Sequence, residues 1–73
     1  MAATITKVKY LGSKLYLKTV AIIEGGGAPA NGDDISVNFK AYHVGSTYID
    51  QTNSKVYTRA FKNGVAADWL MLN

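Results

Sequence analysis

Two turn signals divide residues 45–73, GSTYIDQTNSKVYTRAFKNGVAADWLMLN, into three short strands, and no other stretch of the chain restricts the fold as tightly. The first signal is the polar loop 51–54, QTNS. It sets Asp50 opposite Lys55, Ile49 opposite Val56 and Tyr48 opposite Tyr57. The second is Asn63-Gly64, which suits a two-residue type I′ hairpin because both central residues there need positive φ. It sets Phe61 opposite Ala66, Arg59 opposite Asp68, Thr58 opposite Trp69 and Tyr57 opposite Leu70. Each turn thus yields one opposite-charge cross-strand pair, and such pairs contribute about 0.2–1 kcal/mol each. In this register one face carries Ile49, Val56, Trp69 and Met71, and the other carries Tyr48, Tyr57, Leu70 and Leu72. An antiparallel sheet with one solvated side normally keeps that side polar. Two apolar faces predict that one packs on the N-terminal strands and the other on a second chain.

The remaining residues also read as strands and turns. Apolar side chains alternate or come in short runs, Tyr, Val, Ile and Thr are plentiful, and Gly and Asn recur at short intervals. These features favour strand over helix. Residues 4–11 and 14–23 form a predicted hairpin turning at Gly12-Ser13, a type II′ signal. Its register pairs Tyr10 with Leu15, Val8 with Leu17 and Thr6 with Thr19. The opposite face then holds Lys7, Lys9, Lys14 and Lys18 around Tyr16. Lys7 would oppose Lys18, a repulsive pair that argues for a solvated or different pairing. Residues 24–34, EGGGAPANGDD, predict a flexible glycine-rich loop. Ordering it costs about 1–2 kcal/mol of backbone entropy per residue, and it has little apolar surface to offset that. In residues 35–43, Ile35, Val37, Phe39, Ala41 and His43 alternate with polar neighbours, the pattern of a half-buried strand. The expected fold is all-β: a single domain over residues 1–73, a small antiparallel sheet or sandwich of about five or six strands.

A chain of 73 residues with no cysteine has no disulfide or thiolate metal site to reinforce a small core. Oligomerisation or docking on a larger body is the natural source of further stability. The net charge of +3 is unevenly spread: residues 1–23 carry +4 and the rest carry −1. A basic N-terminal third could attract an acidic protein surface or a nucleic acid. The N-terminus alternates and lacks the apolar core of a leader peptide. The longest purely aliphatic run, residues 20–23, falls far short of the roughly 20 residues of a membrane-spanning helix, and no membrane partner is expected.

Catalytic chemistry finds little material. His43 is the only histidine, and no serine–histidine–acid spacing accompanies it. Asp33 and Asp34 follow Asn31-Gly32, but the calcium-loop pattern with its closing glutamate is missing. Gly25-Gly26-Gly27 is not followed by the lysine and hydroxyl residue of a phosphate-binding loop. Lys7, Lys9, Lys14 and Lys18 with Tyr16 form a basic face bearing one aromatic ring, a weak nucleic-acid signal. No enzyme activity, metal or cofactor is expected.

The succession GSTYID, TNSK, tyrosine, Asn-Gly and Asp-Trp within residues 45–73 resembles a segment that recurs in structural proteins of tailed bacteriophages: tail fibres, head fibres and capsid decoration proteins. The resemblance implies a virion structural protein made in the host cytoplasm. The shortness of the chain favours a capsid decoration (cement) or head-fibre protein over a tail-fibre or baseplate component. Proteins of this kind are commonly homotrimers that clamp the major capsid protein. The implied interface candidates are Lys7, Lys9, Lys14, Tyr16, Lys18, Tyr48, Tyr57, Trp69, Leu70 and Leu72. A small basic nucleic-acid-binding β protein is the alternative from another class.

Overall fold

The computed structural model describes residues 3–11, 20–38 and 40–72. Five strands form one sheet: β1 (Thr4–Tyr10), β2 (Ala21–Gly26), β3 (Thr47–Asp50), β4 (Lys55–Arg59) and β5 (Trp69–Met71). They lie side by side in chain order. The all-β expectation holds, but the sheet is mixed. β2 and β3 run parallel, and every other neighbouring pair is antiparallel. Parallel neighbours cannot be joined by a tight turn, so the chain crosses back over the sheet between them. That crossover, residues 27–46, contains a single helical turn, α1 (Asp34–Val37).

The alternation in residues 35–43 does not make a strand. Asp33 precedes α1 in an extended conformation, and its Oδ1 accepts a hydrogen bond from the Ser36 amide at 3.0 Å. This is the N-cap arrangement that Asp favours. Asn38 then starts a turn, with its Oδ1 accepting from the Ala41 amide and its carbonyl from the Tyr42 amide. Ile35 is fully buried while Val37 is half exposed, so the two do not share a face as the strand reading requires. Phe39 lies outside the described residues.

The first hairpin exists in a different register. β1 pairs with residues 21–26 rather than 14–19: Tyr10 lies opposite Ala21, Val8 opposite Ile23 and Ile5 opposite Gly25. The expected turn at Gly12-Ser13 lies outside the described residues. Lys7 now opposes Glu24 instead of Lys18, which exchanges repulsion for attraction. The register shifts between Ile5 and Lys7, a bulge at Thr6, whose hydroxyl donates to the Glu24 carbonyl at 3.0 Å. Glu24, Gly25 and Gly26, expected in the loop, complete β2. The turn beyond them is anchored at several points. Asp50 Oδ1 accepts from the Gly27 amide at 2.9 Å, the Tyr48 hydroxyl donates to the Gly27 carbonyl at 2.7 Å, and Asp33 Oδ2 accepts from the Ala30 amide at 2.7 Å.

At the C-terminal end, β3 and β4 pair in the expected register, with Asp50 opposite Lys55, Ile49 opposite Val56 and Tyr48 opposite Tyr57. β4 and β5 are offset by one residue from expectation: Arg59 faces Trp69, Thr58 faces Leu70 and Tyr57 faces Met71. Asn63-Gly64 is not a two-residue turn. Gly64 has φ of 81°, but Ser54 is the only non-glycine residue with positive φ among those described. A 3-10 turn, Ala66–Asp68, fills the rest of the connection. Because side chains alternate along a strand, a one-residue slip inverts its faces. Trp69 therefore joins Tyr48 and Tyr57 beneath the crossover, and Leu70 turns to the opposite side. The core consists of Ala21, Ile23, Ile35, Tyr42, Tyr48 and Trp69, with Ile5, Val8 and Tyr57 packed at its margin.

Candidate docking surface

The crossover covers one face of the sheet, and no described element lies over the other. Strand registers define two rows across that open face. One row is Lys9, Ile22, Thr47, Thr58 and Leu70; the other is Lys7, Glu24, Ile49 and Val56, continued by Leu72. Leu72 extends the pairing of β5, its amide donating to the Val56 carbonyl at 2.7 Å. Ile22 is 37% exposed, Leu70 47% and Leu72 62%. Ile49, Val56, Thr47 and Thr58 are half-buried among them, and Lys7 and Lys9 are exposed at the β1 flank. The face thus grades from charged at β1 to apolar at β5.

The covered face holds the polar machinery of the fold. Arg59 projects inward from β4 and is only 1% exposed. Its Nε donates to the Phe61 carbonyl at 3.0 Å, and Nη1 donates to the carbonyls of Ile35 at 2.7 Å and Tyr42 at 2.9 Å. Nη2 donates to the Ser36 carbonyl and to Asp68 Oδ2, the latter at 2.7 Å. A guanidinium has five N–H groups, so every one is used. Three of those bonds tie β4 to the crossover, and the ion pair with Asp68 ties it to the turn before β5. The guanidinium carbon also sits 5.4 Å from the centre of the Trp69 ring, a cation–π contact.

The buried carboxylates serve backbone amides in the same way. Burial pushes the Asp68 carboxyl up, but hydrogen bonds from Arg59 and the amides of Gly64 and Asn63 outweigh burial and hold it below the usual carboxylate range. Burial likewise opposes ionisation of Asp50. The Asn53 side chain and the amides of Gly27, Asn53 and Thr52 outweigh it, so this carboxyl too is held low. Asp33 divides its oxygens between the Ser36 amide and those of Ala30 and Ala3. These acids are consumed in closing turns. Among the described residues, no three His, Asp or Glu side chains gather as a metal ligand set.

The interface candidates named from the sequence separate onto different surfaces. Lys7, Lys9, Leu70 and Leu72 share the open face. Tyr48, with no exposed surface, and Trp69, 5% exposed, are core residues of this chain, because the register of β5 turns the indole inward. The Trp69 Nε1 donates to the Ile35 carbonyl at 3.2 Å, which pins the ring under the crossover. Tyr57 is half-buried on the same covered side, its ring 6.0 Å from that of Tyr48. Lys14, Tyr16 and Lys18 lie outside the described residues. Ile22 completes the open face, and sequence reasoning missed it because the expected hairpin paired β1 with residues 14–19.

A shallow groove of about 470 Å³ opens at one end of the sheet beside Thr4, Thr6, Gly26, Gly27, Thr52 and Asn53. It offers hydroxyls and an amide but no titratable group, so its chemistry is limited to hydrogen bonding. In comparisons with known proteins, no family model, no curated protein and no solved structure matches this chain.

Proposed function

We propose that the protein is a structural component of a tailed-phage particle, a capsid decoration or head-fibre protein that docks on the major capsid protein and reinforces the shell. The observation that carries this reading is the bare sheet face of Ile22, Ile49, Val56, Leu70 and Leu72, flanked by Lys7 and Lys9. It belongs to a chain whose buried acids and arginine are engaged in holding its own turns. The surface left over suits binding by apolar contact and charge. The resemblance of residues 45–73 to phage fibre and decoration proteins points the same way. A face this small binds weakly, so reinforcement of the shell rests on many copies docked across it.

A nucleic-acid role has less support. Stacking rings and cations must share a surface to hold a single strand. Of the basic face that would serve here, Lys14, Tyr16 and Lys18 lie outside the described residues, and Lys7 opposes Glu24. Purified particles of the encoding phage provide the test. The protein should be present in many copies, and stripping it should lower the temperature at which heads release DNA. Absence from particles, or confinement to the tail tip, overturns the decoration role.

A further inference from the structure

We propose that the open sheet face is a self-association surface on which a second copy packs sheet against sheet, with β1 of each copy over β5 of its partner. The pairing goes beyond the particle role and does not depend on it; it occupies the same face as the proposed capsid docking, so a copy paired in solution must part before it docks.

Stacked sheets lie about 10 Å apart with their strands roughly aligned, so a flat, patterned strand surface is best matched by another. Two symmetric placements bring this face onto itself. A two-fold axis running across the strands sets Lys7 over the partner's Lys9, two like charges in a closing interface. An axis running along the strands at β3 avoids this. Lys9 then lies over the partner's Leu70, and Lys7 over the partner's Leu72. Their aliphatic stems cover the two leucines, and their ammonium groups reach water at the rim. Thr47 and Ile49 meet their own counterparts at the axis. Glu24 keeps Lys7 of its own strand pair beside it. The gradient from charge at β1 to leucine at β5 is therefore complementary to its own reverse.

Area sets the strength. Two rows over five strands cover on the order of 300 Å² in projection. A standard interface uses about 800 Å² per partner. The pair is accordingly weak and reversible, and it forms at high concentration.

Sedimentation velocity on the full chain, from about 10 μM to 1 mM, reads this directly. The weight-average mass should climb from 7.9 kDa towards twice that value. Leu70→Glu should weaken association at least tenfold, while unchanged Trp69 fluorescence and melting temperature report that the fold is intact. The chain has no cysteine, so single-cysteine variants map the geometry without using a destabilising change. With a short bis-maleimide, Thr47→Cys should link to itself, and Lys9→Cys should link to Leu70→Cys but not to itself. A monomer throughout the range, a limiting mass of three copies, or self-linking of Lys9→Cys as efficient as that of Thr47→Cys each overturns the pairing. A monomer that still binds phage heads would sink the self-association while leaving the capsid role standing.

Discussion

Arg59 is a cation in a strand of a small sheet, almost wholly removed from water, with each N–H group donated to a partner. Lysine cannot substitute for it. An ammonium has three donors on a point charge, so at least two of these five hydrogen bonds would be lost. Breaking a buried ion pair from one side costs about 3–5 kcal/mol. At about 0.05–0.15 kcal/mol per residue, 73 residues have a total stability of only about 4–11 kcal/mol. Arg59→Met, which strands the buried Asp68 carboxylate, should therefore lose a large part of the folding free energy, read as a lower urea midpoint. Replacing both partners, Arg59→Met with Asp68→Leu, removes the stranded charge and should recover part of that loss. A double variant less stable than Arg59→Met would show that the carbonyls of the crossover, rather than Asp68, are the partners that matter.

Within β2, two adjacent glycines meet different obstacles. A Cβ at Gly25 would collide with the Thr4 carbonyl of β1 and lie 3.2 Å from Cε1 of the buried Tyr48 ring. Neither can retreat without opening the β1–β2 pairing. A Cβ at Gly26 would lie 2.5 Å from Thr52 Oγ1, the end of an exposed side chain that can rotate away. Gly25→Ala should thus lower the melting temperature far more than Gly26→Ala, a contrast that propensity alone does not predict. In the β4–β5 connection, Gly64 holds a φ of 81° while its amide donates to Asp68 Oδ2 at 2.8 Å. Gly64→Val places a β-branched side chain in that conformation, at about 1–3 kcal/mol. Thermal melts of the three variants test these elements separately, and equal melting of the two alanine variants would contradict the close approach of β1.

For the molecule as a whole, the buried titratable groups limit stability at both ends of the pH scale. Asp50 and Asp68 have folded-state pKa values depressed below the ordinary carboxylate value of about 3.9. Their contribution is complete above that value and is lost as pH falls through the depressed folded values. Burial, with smaller contributions from Asp50, Asp33 and Tyr57, pushes the Tyr48 hydroxyl up to about 12. Burial and Tyr10 raise Tyr42 further, with Asp34 adding to the effect. A tyrosine raised in the folded state stabilises fully below its unfolded value of about 10, and that stability is lost as pH rises beyond it. Denaturation followed by Trp69 fluorescence should show a plateau between about pH 4 and 10, with an acid and an alkaline limb. Asp50→Asn should flatten the acid limb, and Tyr48→Phe the alkaline one. An acid limb unchanged in Asp50→Asn would contradict the assigned role of that carboxylate.

What the sequence by itself determined was local. The loop 51–54 is too short to permit many pairings, so the β3–β4 register is legible directly, as is the strand character of Tyr-, Val-, Ile- and Thr-rich segments. Arg59 and Asp68 were legible as partners, but as a surface cross-strand pair rather than a buried hub. Tertiary structure decided what longer connections leave open. An alternating pattern at residues 35–43 fits a strand, yet an aspartate cap and a place over the sheet make it a turn of helix and a loop. Asn63-Gly64 fits a two-residue hairpin, yet Trp69 takes the side of the sheet where it packs in the core and its Nε1 donates to the Ile35 carbonyl, 34 residues away. That one-residue choice moves Trp69 into the core and Leu70 onto the open face, dividing the candidate interface residues between them. Contacts so distant along the chain carry no local signature, because their energy exists only once the crossover has closed over the sheet.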